Sequence, residues 1–273
     1  MGPALGTILR QVKKNKQTKI VCIADNVIPH EKRIGDVPFT KYFLKAPDAF
    51  VTMSERVLSD LRMFTNKPAQ LVQHPLYDNF GDAISKNEAR KFLGLAEHSK
   101  IILFFGFIRQ YKGLDLLLKA MADERIKKEK IQLLIAGEFY EDDKPYLQLI
   151  QENNLQDQVI LKTNFIHDSE VKYYLCSGDC VVQPYKNATQ SGVTPLAYHF
   201  EKPMIVTNVG GLPSLVPHEK VGLVCEPDPQ SIADSILRFY QLGEQYFIPH
   251  LRSEKQKYSW SSLTSAILKL ADI

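Results

Sequence analysis

The chain has 273 residues, of which 44% are hydrophobic and 24% charged, with a formal net charge of +3. That is the composition of a globular chain with enough apolar residues for one large or two smaller domains, so disorder is excluded as the default. The charge is too mild to point to nucleic acid as a partner, and every apolar run is far shorter than the ~20 residues a membrane-spanning helix needs.

In chain order, residues 5–14 read as a short helix, and Lys13, Lys14, Lys16 and Lys19 at its end are either a solvated terminus or a binding patch. Strands are predicted at 20–24, 49–53 and 71–73. Ser54 is the expected N-cap of a helix through Val57 and Leu61, because a short side-chain oxygen there accepts from an otherwise unpaired amide. The polar stretch 78–100, with Gly81 and Gly94, marks a domain boundary near residue 95.

A more regular run follows, with strands predicted at 101–105, 131–136, 158–161, 180–183, 204–207 and 222–225. Helices are predicted after Gly113, at 146–152, 168–176, 192–200 and 230–242, and again in the tail through Leu263, Ile267 and Leu270. Short apolar strands alternating with amphipathic helices predict parallel sheets covered on both faces. The fold class is therefore α/β: a complete C-terminal Rossmann-like domain over 96–255 and, over 1–95, part of an N-terminal one, since three strands are fewer than a doubly wound sheet carries. The tail, 256–273, is expected to pack back on the first domain.

In open α/β sheets ligands bind where strand carboxyl ends lead into helices. The first such loop reads Gly106-Phe107-Ile108-Arg109-Gln110-Tyr111-Lys112-Gly113, and its glycines and two cations suit a pyrophosphate; an ordinary turn with exposed basic residues is the alternative. The second, Pro184-Tyr185-Lys186-Asn187-Ala188-Thr189-Gln190-Ser191-Gly192, is rich in small polar groups that suit either a hydroxyl-rich ligand or simple capping. Gly210 and Gly211 allow a ligand to approach or make a turn. No G-x-G-x-x-G follows a strand and no P-loop is present, which argues against nicotinamide enzymes and P-loop NTPases. Cys22, Cys176, Cys180 and Cys225 lack metal or disulfide spacing, so buried thiols in a reducing cytosol are expected.

The segments 104–115, Ile135-Ala136-Gly137-Glu138, Gln190-Ser191-Gly192-Val193 and 202–213 occur in the order and spacing of a known family. Across nearly its whole length the chain resembles the retaining glycosyltransferases of the GT-B fold, group 1 or family 4. The resemblance implies transfer of a sugar from a nucleotide diphosphate sugar to a glycan, lipid-linked or other hydroxyl acceptor, with no cofactor and no metal. It implies a donor site at Gly106, Arg109, Lys112, Glu138, Thr189, Gln190, Ser191 and Gly192, with Arg109 and Lys112 on the pyrophosphate. Many relatives carry the arginine where this chain has Phe107, and carry glutamates where it has Ala188 and Leu196. Thr189, Gln190 and Ser191 are expected to replace some of the lost hydrogen bonds.

On the acceptor side, Asp25 matches the family's catalytic histidine, His30 is a nearby substrate-contacting or structural histidine, and His74 falls by the hinge. The family's opening strand and loop have no counterpart here, so truncation at the N-terminus is expected. The rival readings are a catalytically silent nucleotide-sugar binding module or gene fragment, and a nucleotide-sugar epimerase, against which the shortage of acids near the second loop argues. The expected location is cytoplasmic, with peripheral contact at the inner membrane face left open.

Overall fold

The computed structural model describes residues 2–28, 35–73, 75–77, 79–188 and 191–272. It separates into two compact units, one made of residues 1–75 with 257–273 and the other of residues 76–256. His30 and His74 lie outside the described residues, as do Thr189 and Gln190. Among the described residues no helix is long and apolar enough to cross a membrane.

The first unit runs α1 (Gly2–Val12), β1 (Val21–Ala24), α2 (Asp36–Leu44), β2 (Ala49–Thr52), α3 (Glu55–Arg62) and β3 (Ala69–Leu71). Its three strands are parallel in the order β1-β2-β3. β2 is the middle strand, and Ala49, Phe50, Val51 and Thr52 are all buried, because successive residues point to opposite faces and both faces are covered. Phe50 packs with Leu44, Val57 and Leu61 on one face. Ser54 does cap α3, its hydroxyl accepting from the Val57 amide at 3.3 Å.

The second unit begins with α4 (Lys86–Leu93), inside the stretch expected to separate the domains. The boundary is therefore at 75/76 and not near 95. The reason is physical: α4 lies along the helix at Val171–Ser177, and the Arg90 side chain is buried there, donating from Nε to the Ser177 carbonyl at 3.0 Å and from Nη2 to Asp179 at 3.1 Å. Polar residues made this segment look like a linker, but its ionic groups are satisfied internally.

The chain continues through β4 (Lys100–Phe105), α5 (Leu114–Met121), α6 (Glu124–Lys128), β5 (Ile131–Ala136), α7 (Lys144–Glu152), β6 (Val159–Lys162) and α8 (Val171–Ser177). It then forms β7 (Cys180–Gln183), α9 (Val193–His199), β8 (Met204–Thr207), α10 (Leu212–Leu215), β9 (Gly222–Cys225), α11 (Pro229–Leu242) and α12 (Glu244–Lys255). All six strands are parallel, in the order β6-β5-β4-β7-β8-β9. This is the doubly wound Rossmann order, in which the winding reverses between the first and fourth strands, here β4 and β7. The loops leaving these two strands flank the crevice where the order switches.

After residue 256 the chain re-enters the first unit as α13 (Trp260–Ala271), which sets Leu263 and Ala266 against Val51 and Val72. β2 thus gains its second apolar cover from residues about two hundred positions away in the sequence.

Candidate nucleotide-sugar site

Three loops at the carboxyl ends of β4, β7 and β8 are packed backbone to backbone. Gly113, at φ +69°, has no space for a side chain because a Cβ would run into the Pro184 carbonyl oxygen, and Gly210, at φ +55°, meets the Ala188 carbonyl in the same way. These contacts give Gly210 a packing role. The first and second loops are also joined by the Lys186 amide donating to the Tyr111 carbonyl at 2.8 Å, and by an ion pair of 2.8 Å between Lys186 and Asp115.

Lys112 sits at the end of a single 3-10 turn, Gln110–Lys112, that folds it back beneath its own loop. Its side chain is 9% exposed, and its Nζ lies 3.4 Å from the point where a Cβ on Gly106 would be. A Cβ there would stand in ordinary contact with the ammonium, so what favours glycine at 106 is its backbone, at φ +93°. No hydrogen bond or ion pair reaches that ammonium among the described residues; near it lie the Tyr185 ring at 5.9 Å and, through space, Arg109. Burial first, and the Arg109 charge second, lower its pKa to about 8. An ammonium held without a counter-ion is electrostatically costly, and an arriving anion removes the cost.

Arg109 is exposed, with its guanidinium 4.5 Å over the Tyr140 ring, and Tyr140 meets Phe107 edge to face at 4.6 Å. These residues border a shallow cleft lined by Arg109, Gln110, Tyr111, Tyr140 and Glu141. Arg109 makes no ion pair among the described residues, so its donors are available.

The other sequence-predicted positions divide. Glu138 contributes its backbone, the carbonyl accepting from the Ile108 amide at 2.8 Å. Ser191 is buried, and its hydroxyl is already engaged, accepting from the Val193 amide at 3.2 Å and pairing with the Tyr185 hydroxyl at 3.1 Å. Gly192 is exposed and a Cβ there would meet nothing. Asp25 belongs to the first unit, where it is exposed just past β1. Sequence reasoning passed over Tyr185, although an aromatic residue directly after the strand's proline was a signal that a ring fills the base of the loop.

A broader groove in the first unit is lined by Lys19, Arg62, Lys67 and Lys269 among others. Three of those cations are committed: Lys67 donates to the carbonyls of Leu44, Lys45 and Pro47, Arg62 to that of Lys67, and Lys19 pairs with Asp272. The pairing contrasts with Lys112 and favours the second unit as the anion site.

Comparison with known proteins identifies the family. The model of the family "Glycosyl transferases group 1" matches residues 85–250. An uncharacterized glycosyltransferase of Methanocaldococcus jannaschii is 28% identical over 190 residues, 67% of this chain and 47% of its own length. The D-inositol 3-phosphate glycosyltransferase of Corynebacterium urealyticum is 27% identical over 199 residues, 70% of this chain and 47% of its own. The chain thus spans about half the length of these curated relatives. Among solved structures, Anabaena HepE in complex with UDP superimposes with a TM-score of 0.76 at 14% identity, over 98% of this chain and 76% of that one, a likeness of fold. The expected GT-B-like α/β architecture stands, and with the family model covering more than half of its residues, the chain belongs to the group 1 glycosyltransferases.

Proposed function

We propose that the second unit binds the diphosphate of a nucleotide sugar, and that the protein transfers the sugar to a hydroxyl acceptor with retention of anomeric configuration. The observation that carries this reading is the buried Lys112 ammonium at Gly106, without a counter-ion among the described residues, at the switch point of the sheet. Lys112 and Arg109 would stabilise the negative charge that grows on the departing diphosphate, the largest electrostatic demand of the step. The proposal involves no cofactor and no metal, the charge being met by these two cations. Gly192 leaves open backbone beside the leaving group, while Thr189 and Gln190 remain proposed sugar contacts. Asp25 and His30 are proposed for the acceptor side.

The retaining, family 4 assignment rests on the quoted motifs, and UDP is a reasonable first nucleotide because HepE was solved with it. We place the reaction in the cytoplasm, at the inner face of the membrane where the acceptor is lipid-linked.

Calorimetric titration with UDP, GDP and ADP and their sugar conjugates tests the site. Saturable binding to one of them is expected, weakened at least about tenfold by Lys112→Ala and abolished when Arg109→Ala is added. No saturable binding to any nucleotide would overturn the donor site. Binding without a glycosylated product, assayed with a panel of hydroxyl acceptors, would instead favour the silent binding module.

A further inference from the structure

Lys112 and Lys186 lie in adjoining loops but are treated differently. Lys186 is neutralised by Asp115 at 2.8 Å. Lys112 has no carboxylate among the described residues, and its ammonium instead lies 5.9 Å from the centroid of the Tyr185 ring, within the range of a cation–π attraction. That ring is 3% exposed and fixed from several sides. Its hydroxyl meets Ser191 at 3.1 Å, Tyr111 packs against it at 6.1 Å with ring planes 80° apart, and the Tyr185 carbonyl accepts from the Thr207 hydroxyl at 2.6 Å.

We propose that Tyr185 is a positioning residue for the donor diphosphate: its ring seats the Lys112 ammonium in place of a carboxylate, so that all three N–H donors of the lysine stay free for phosphate oxygens. The inference rests on the donor-site reading above and adds a residue to it. A carboxylate at this depth would hold the lysine more strongly but would compete with the ligand for the same donors and oppose its charge. A π face attracts the cation weakly, accepts no conventional hydrogen bond in the ring plane, and repels an incoming anion far less than a full negative charge does. Tyr185 also stays a neutral phenol through the working range, because burial pushes its pKa up to about 12.

Among the described residues the charged group facing Lys112 is Arg109 on its own loop, and the titratable rings are Tyr185 and, behind it, Tyr111. Asp115 of α5 is held by Lys186. The ring is therefore the component of the site that favours the charged lysine before ligand arrives.

The test keeps the shape of the ring and changes its electrostatics. Position 185 of the full chain is filled with Phe (Tyr185→Phe) and then with 4-fluoro- and 3,4,5-trifluorophenylalanine, which weaken the negative face stepwise. The Lys112 ammonium is titrated in the ligand-free protein by its Cε NMR resonance, assigned by its loss in Lys112→Met, and UDP affinity is measured at pH 7 and pH 9. The Lys112 pKa is expected to fall by about half a unit across the series, with the UDP affinity at pH 9 falling in step. A pKa constant across the series would overturn the proposal and leave Tyr185 as packing alone. Because that titration needs no ligand, a pKa that tracks fluorination while no variant binds UDP would remove the donor reading and leave the seat standing.

Discussion

The Lys112 ammonium is the centre of the proposed donor site, and its cost should be measurable in stability. A lysine whose pKa is lowered in the folded state binds its proton more weakly there than in the unfolded chain. The penalty is therefore fully present below about pH 8, the folded value, and fades as pH rises towards 10.5, the ordinary value. Lys112→Met, which keeps the apolar stem and removes the charge, is expected to raise unfolding free energy by on the order of 1–2 kcal/mol at pH 7. Urea denaturation at pH 7, 9 and 10 checks it: the advantage over wild type should shrink between pH 8 and 10. An advantage independent of pH would show that packing, not charge, separates the two proteins. The same variant should lose UDP affinity, so stability and binding move in opposite directions at one residue.

At the scale of elements, the second unit is fastened at the end of its sheet opposite the site. Asp179, just before β7, accepts from Lys86 at 2.6 Å, from Arg90 at 3.1 Å, from the Ile101 amide at 2.8 Å and from the Tyr240 hydroxyl at 3.0 Å. It thereby ties α4, the start of β4 and α11 together. Glu244 extends the cluster to Lys86 and to Lys202. Removing a buried partner is worse than never having had the pair, because the remaining charge stays desolvated. Asp179→Ala should thus destabilise the second unit by about 3–5 kcal/mol, read as a lowered urea midpoint, while UDP affinity of the folded fraction changes less than about twofold. A large loss of affinity at unchanged stability would place Asp179 in the binding machinery instead. A smaller effect is expected at the N-cap of α11, where Asp228 accepts from the Ser231 amide at 3.0 Å: Asp228→Ala should cost about 1 kcal/mol in the same measurement.

For the whole molecule, the division at residues 75/76 and 256/257 implies that 76–256 holds a core of its own, six strands with helices on both faces. Expressed alone, that segment is expected to unfold cooperatively and to keep the nucleotide affinity of the full chain within about threefold; failure to fold would show that it depends on the first unit. The sequence by itself determined the strands of both sheets to within two residues, since buried parallel strands are short continuous apolar runs bounded by turn residues, and it picked out Arg109 and Lys112 because charge and glycine coincide at a strand end. Tertiary structure alone decided three things. It assigned α4 to the second unit, because a buried Arg90 is tolerable only when partners distant in sequence satisfy it. It chose β2 as the strand that α13 covers, a detail beyond the expectation that the tail returns to the first domain. It left Lys112 facing a ring and Lys186 facing a carboxylate, because a counter-ion is a property of where loops converge and not of the residues beside a lysine in the chain.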